Sequence, residues 1–281
     1  MGQTSLLFSV LVLFFLWMPI QTVVGEELPK WSERKTEWKG YDQLHFKIVG
    51  RPAFVTVPKT MAPGKPWIWR ARFPGYHAEM DASLVKLGFH VAYVDVAGMF
   101  GSPKAIAIGD ALYEFATQQL GLAKKPALEG VSRGGLLVYN WAAKRPDKVA
   151  CIYCDTPVCD FKSWPGGRGQ GLGSANAWKQ CLKAYGFSEQ QALAYTANPV
   201  DKVATIAKAK IPLLHIVSEN DQVVPPAENT YLLQKRLEKV GHTLEVISVA
   251  SGTKKSNGHH FTHPDPDRVV EFIAKHAKPK Q

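Results

Sequence analysis

The sequence predicts an α/β fold, a mostly parallel sheet of about eight strands with helices on both faces. Three observations carry that expectation. Short apolar or β-branched runs bounded by Gly and Pro alternate with amphipathic stretches from Phe89 to the C-terminus. The segment Lys125–Pro146 reads as a buried strand, a sharp turn through Gly130, Ser132 and Gly134, and a helix. With 281 residues, 46% hydrophobic and 21% charged, the chain can bury one large core.

At the N-terminus, Leu6–Ile20 is apolar and is followed by Val23 and Gly25, small or β-branched residues suited to signal-peptidase cleavage. The expectation is a signal peptide over residues 1–25 and a mature chain 26–281 that is secreted or periplasmic, with no membrane span once the leader is cleaved. The apolar stretch is short for a transmembrane helix, but the absence of Lys and Arg before it leaves an uncleaved anchor as the alternative. Beyond a polar stretch holding Trp31, Trp38 and Tyr41, Leu44–Val57 alternates around Gly50 as a hairpin. Trp67–Phe73 is a further strand, His77–Leu87 a helix, and Phe89–Val96 a buried strand. Lys104–Leu120 places Ile108, Ala111, Leu112 and Phe115 on one helical face, closed by Gly121.

After the Ser132 turn, VACIYCDTPV is the next strand. Residues 160–197 then break the pattern with the Gly-rich SWPGGRGQGLGS and a helical piece over Trp178–Tyr185, an insertion expected over the strand ends. Lys202–Ala209, Pro226–Val240 and Asp267–Ala277 read as helices, IPLLHIVSEN and LEVISVA as strands. Four cysteines, 151, 154, 159 and 181, fall in or near the insertion and the strand before it. Cys151 and Cys154 lie three apart on a strand, on opposite faces, which disfavours a redox or zinc pair. Export would permit a bridge from Cys181 to Cys154 or Cys159.

A formal charge of +10 suggests attraction to acidic partners, yet the Lys and Arg residues are dispersed, and no nucleic-acid motif or basic stripe is present. Nucleic acid is therefore not an expected partner. An anionic polysaccharide or cell surface suits an exported basic protein better. The sequence leaves oligomeric state open.

The chemistry converges on Ser132. A serine on a strained turn between strand and helix presents its hydroxyl above the sheet edge, and it needs a base and an acid to activate it. Asp221 follows the strand IPLLHIVSEN, and His259 follows the last strand. The order Ser132, Asp221, His259, each just past a strand's C-terminal end, fits a triad. Asp155 and Asp160 compete for the acid's role and His260 for the base's. His259, His260, His263 and Asp265 could instead ligate a metal, but a triad accounts for the same loop, so neither metal nor other cofactor is expected. The oxyanion donors are expected to be the amides of Arg133 and of the loop at Phe73. Arg70 and Arg72, on one face of the preceding strand, and Arg133 would border the pocket and suit a carboxylate. Trp164 and Trp178 bracket the Gly-rich loop and could stack on a sugar, or bury into the insertion's own core.

Through the elbow Gly130-Val131-Ser132-Arg133-Gly134-Gly135, the segment Ser218–Pro225 and the late Gly258-His259, nearly the whole mature chain resembles the α/β-hydrolases. That resemblance implies the α/β-hydrolase fold and serine hydrolysis through an acyl-enzyme. The Ser-Arg pair is similar to the elbow of glucuronoyl esterases, although Val131 stands where that family has Cys. WIWRARF and CLKAYG resemble exported hydrolases assigned to polysaccharide degradation. The resemblance implies an esterase acting on an acetyl or uronate ester of a carbohydrate, a small-molecule or polysaccharide substrate that is anionic in the uronate case. The alternatives are an exopeptidase-like serine hydrolase of the same fold and an inactive hydrolase fold serving as a binding module.

Overall fold

A computed structural model describes residues 28–278 together with Met1. The expected signal segment thus lies outside the described residues apart from Met1. Among the described residues, no helix is long and apolar enough to cross a membrane.

Strands β1 (Arg34–Trp38), β2 (Tyr41–Ile48) and β3 (Arg51–Val57) form an antiparallel meander, followed by β4 (Trp67–Arg70), α1 (Glu79–Lys86), β5 (His90–Val94) and α2 (Pro103–Glu114). A π-helical turn, Phe115–Gln119, extends α2. Next come β6 (Ala127–Val131), α3 (Gly134–Lys144) and β7 (Cys151–Asp155). Helices α4 (Ala175–Tyr185) and α5 (Glu189–Leu193) belong to the insertion, and α6 (Val203–Lys208) follows it. The chain closes with β8 (Leu213–Ser218), α7 (Thr230–Glu238), β9 (Glu245–Val249) and α8 (Pro266–Ala277).

The nine strands make one sheet in the order β1-β2-β3-β5-β4-β6-β7-β8-β9, parallel from β5 to β9 and antiparallel at the meander edge. The sequence-based expectation of about eight strands omits β1. Its RKTEW is charged and largely exposed, as an edge strand tolerates, and carries none of the apolar run that marks an interior strand.

Both sheet faces are covered. On one, Met80, Leu84 and Val85 of α1 pack with Val269, Phe272 and Ile273 of α8. On the other, Ile108 and Leu112 of α2, Leu137 and Trp141 of α3, Ile206 of α6 and Leu233 of α7 build the larger core. Helix α2 approaches the sheet closely because Gly109 carries no side chain: a Cβ there would lie 2.4 Å from the Trp69 ring. Cys151 packs in the first core and Cys154 in the second, as alternation along β7 requires. All four cysteines are free and buried, so the structure carries no bridge from Cys181.

Trp141 meets Trp69 edge-on with centroids 5.0 Å apart, and its Nε1 donates to Asp110 Oδ1 at 3.1 Å. Replacing it empties the centre of the larger core. Trp141→Ala should lower unfolding free energy by about 3–5 kcal/mol, read as a lower urea midpoint at unchanged slope.

Candidate active site

Strand β6 ends at Val131, and the chain turns so sharply that Ser132 takes φ of 50°. A β-carbon costs energy in that region, and the cost is carried by fixed neighbours. Ser132 N–H donates to the Asp155 carbonyl at 2.8 Å, while the Ser132 carbonyl accepts from Gly135 N at 3.0 Å and Val158 N at 2.9 Å. The flanking glycines are required by space. A Cβ on Gly130 would lie 2.9 Å from Val138 Cγ2, and one on Gly135 would lie 2.6 Å from Pro157 Cβ.

Beyond β8, Asp221 is buried, and its Oδ1 accepts from Val223 N at 2.8 Å and Val224 N at 2.9 Å. Its other oxygen, Oδ2, lies 2.6 Å from His259 Nδ1, and His259 Nε2 lies 3.1 Å from Ser132 Oγ. The acid and base loops are laced together: Gln222 N donates to Asn257 O, and Gly252 N to Asn220 Oδ1. Gly258, at φ of +84°, sits where a Cβ would be 2.2 Å from the Asn220 carbonyl oxygen, so the two loops meet backbone to backbone.

The competing residues are engaged elsewhere. The exposed His260 has its ring 5.3 Å from that of Tyr76, and burial together with the neighbouring His259 lowers its pKa. Asp160 Oδ1 accepts from Lys162 N, and Asp155 pairs with His77. His263 Nε2 lies 3.1 Å from Tyr153 OH and its Nδ1 accepts from Asp265 N, so the four residues considered as a metal set do not converge.

The loop after β4 faces the elbow: a Cβ on Gly134 would lie 3.2 Å from Arg72 Cβ. Phe73 in this loop has φ of 47°. Among the described residues, no acceptor takes the amide of Phe73 or of Arg133.

The arginines separate. Arg70 has no exposed surface and does not border the pocket, contrary to the sequence expectation. Its Nη1 donates to Glu129 Oε1 at 2.6 Å and Asp81 Oδ2 at 2.9 Å, and its Nη2 to the carbonyls of Phe73 and Tyr76. Burial drives the Glu129 pKa well above the ordinary carboxylate range, partly offset by Arg70 and reinforced by Asp81. The misplacement has a simple cause. β4 lies between β5 and β6, covered on both faces, so alternation cannot send Arg70 to solvent. The missed signal was Glu129, a carboxylate inside the strand ALEGV, which needs a buried cation across the register.

Arg72 and Arg133 do lie at the elbow. Arg72 Nη1 is 3.5 Å from Asp95 Oδ1, a carboxylate already held by Arg51 at 3.0 Å, and its guanidinium lies 4.5 Å from the Phe73 ring centre. Arg133 has no carboxylate within salt-bridge distance among the described residues. Its guanidinium is caged by Trp164 at 4.7 Å, Phe73 at 5.6 Å and Phe100 at 5.8 Å. Burial, then Arg72, lowers its pKa. Trp164 thus reaches the site as one wall of this cage.

Trp178 does not reach it. It is buried against Phe161 at 6.0 Å with Cys181 and Ala192, in a core that the insertion shares with Phe100 and Leu136 rather than one of its own. Asn229, at the start of α7, anchors the insertion by accepting from Cys159 N at 2.8 Å and donating to Ser163 Oγ at 3.0 Å.

The family model for the prolyl oligopeptidase family, Peptidase_S9, matches residues 108–279, more than half of the sequence. The chain belongs to the prolyl oligopeptidase family. Membership places it on the α/β-hydrolase fold, and the family matched is one of peptidases rather than the carbohydrate esterases that the Ser-Arg pair resembles.

Solved structures agree on the fold. An acylaminoacyl peptidase in complex with Z-Gly-Gly-Phe-chloromethyl ketone superposes with a TM-score of 0.63 at 16% identity, over 86% of this chain and 42% of that one. A Mycobacterium tuberculosis puromycin-hydrolyzing peptidase gives 0.66 at 15%, over 85% and 40%. Porphyromonas gingivalis dipeptidyl peptidase 4 gives 0.60 at 14%, over 84% and 35%. This prolyl oligopeptidase family chain therefore spans less than half the length of those peptidases. No curated protein matches the sequence.

Arg70→Met would strip the cation from Asp81 and Glu129 and release the carbonyls of the Phe73 loop. We expect a loss of about 3–5 kcal/mol in urea unfolding, because one partner of a buried ionic group is left uncompensated. At a temperature where the variant is still folded, its kcat should fall more than its KM rises.

Proposed function

We propose that the protein cleaves the acyl bond of a small peptide or peptide-like substrate, as an exopeptidase-like serine hydrolase, through a covalent acyl-enzyme on Ser132. The observation that carries this reading is His259, placed between Ser132 Oγ and the buried Asp221 carboxylate. His259 Nε2 accepts the serine proton as Oγ attacks the carbonyl carbon. Asp221 fixes the tautomer and stabilises the imidazolium that forms. The oxyanion is received by the amides of Arg133 and Phe73, the former at the N-terminal end of α3, where the helix dipole also favours negative charge. His259 then returns the proton to the leaving group, and water repeats the sequence to release the acid.

An exopeptidase must recognise a chain terminus, and the charge beside Ser132 is positive. The caged Arg133, with Arg72 next to it and Asp95 shared between two arginines, suits a carboxylate rather than an ammonium. A substrate with a free carboxylate near the scissile bond follows from that charge. The same guanidinium supports a second reading, an ester next to an acidic sugar. Trp164 then acts by holding Arg133 rather than by stacking on the ring.

Ser132→Ala and Asp221→Asn should each lower kcat by roughly a thousandfold or more with an unchanged thermal melt. Wild-type activity in either variant would refute the triad. A panel of aminoacyl amides, peptides with free and amidated C-termini, and paired acidic and neutral sugar esters separates the two substrate readings. Arg133→Gln should reduce the preference for the carboxylate-bearing member of the best pair by about tenfold to a hundredfold, since one charge-assisted contact is worth about 1.5–3 kcal/mol. Equal kcat/KM within every pair at low salt would overturn the carboxylate preference.

A further inference from the structure

A second histidine–aspartate pair lies beside the triad and takes no part in its proton transfers. His77 ends the loop after β4 with φ of 48°, and its ring is inserted between two other segments of the site. Nδ1 lies 2.5 Å from Asp155 Oδ2, and Nε2 lies 2.8 Å from the carbonyl of Phe261. Asp155 is wholly buried.

Both partners are acceptors, a carboxylate and a carbonyl, so a ring that satisfies both must carry a proton on each nitrogen. A neutral imidazole would point a lone pair at one of them. The residues joined are those that set the site's geometry. The loop of His77 includes Phe73, Phe261 is two residues past His259, and the backbone carbonyl of Asp155 accepts the Ser132 amide at 2.8 Å. Tyr76 reinforces the same seam, its hydroxyl accepting from Phe261 N at 3.3 Å.

We propose that His77 is a positioning residue for acyl transfer. Held as an imidazolium between Asp155 and the Phe261 carbonyl, it locks the oxyanion loop, the nucleophile's backbone and the base loop into one register. Its charge is local. The groups facing it are Asp155 from the end of β7, Glu79 from α1, the Tyr76 ring at 4.0 Å, and from the base loop the His263 ring at 5.4 Å with His260 nearby. Burial lowers the His77 pKa, but the hydrogen bond and charge of Asp155, the Phe261 carbonyl and Glu79 outweigh it, and the net direction is upward.

The sign follows from that direction. The stabilisation is complete below the unfolded histidine value of about 6.5 and is lost as pH rises through the higher folded value. At the alkaline end the rate should therefore fall as His77 loses its proton.

The decisive experiment records kcat and KM against pH for wild type and His77→Gln, whose amide keeps a donor but cannot carry charge. We expect kcat to fall about tenfold to a hundredfold, KM to change little, and the alkaline limb to vanish. A variant that keeps wild-type kcat and the same alkaline limb overturns the proposal. If His77→Gln fails to fold, Asp155→Asn takes its place: losing the carboxylate should move the alkaline limb to lower pH, and an unmoved limb counts against the pair. Long-range ¹⁵N–¹H spectra of histidine-labelled wild type should show protons on both His77 nitrogens at neutral pH, and a bare Nδ1 would refute the imidazolium. The kinetic arm rests on the acyl-transfer reading, which Ser132→Ala tests separately. The spectra test the His77 pair whatever that variant shows.

Discussion

A guanidinium without contact with water has to find its acceptors in the protein, and Arg70 draws those of both terminal nitrogens from the site's scaffold, while its Nε has none. Its two carboxylate partners come from α1 and β6, and its two carbonyl partners from the loop after β4. Satisfying one buried cation thus fixes the path of the backbone that brings Phe73 to the elbow. The conformation that the chemistry needs is therefore a by-product of hydrogen-bond bookkeeping behind the sheet.

Two further constraints complete the site by the same logic. The positive φ of Ser132 is held by the Asp155 carbonyl and by the amides of Gly135 and Val158, so the strain at the nucleophile is supported from the neighbouring strand as well as from the helix. The acid and base loops touch through backbone at Gly258 and Asn220, where any side chain at position 258 would collide. These contacts leave little freedom in the separation of Asp221 and His259. Arg133 is the exception to the pattern of satisfied charge. It is held by aromatic faces rather than by a carboxylate, which leaves its hydrogen-bond donors for something that arrives from outside.

Much of this is legible in the sequence alone. The βα alternation, the Ser132 turn and the positions of Asp221 and His259 follow from apolar runs bounded by Gly and Pro, because parallel strands buried on both faces leave that signature and place chemistry at their C-terminal ends. What was not legible depended on pairing across the sheet. Arg70 and Arg72 share a face in a strand read alone, yet β4 stops at Arg70 and the chain turns away before Arg72. Trp178 beside a Gly-rich loop reads equally as a pocket wall and as a core residue, and only the packing of Phe161 and Cys181 around it decides. His77 gave no signal at all, because its partners are 78 and 184 residues away in the chain.

The four cysteines bear on how the protein opens. Each is free and buried, and burial raises the pKa of every one of the thiols, that of Cys181 to about 12. Thiolate is the reactive form, so in the native state alkylating reagents meet sulfurs that are both shielded and protonated. Modification then waits on structural opening, and the positions divide the molecule: Cys151 and Cys154 lie on opposite faces of the central sheet, while Cys181 lies in the insertion. The chain carries its own stopwatches, and the order in which the sulfurs become alkylated would record whether the insertion detaches before the sheet comes apart.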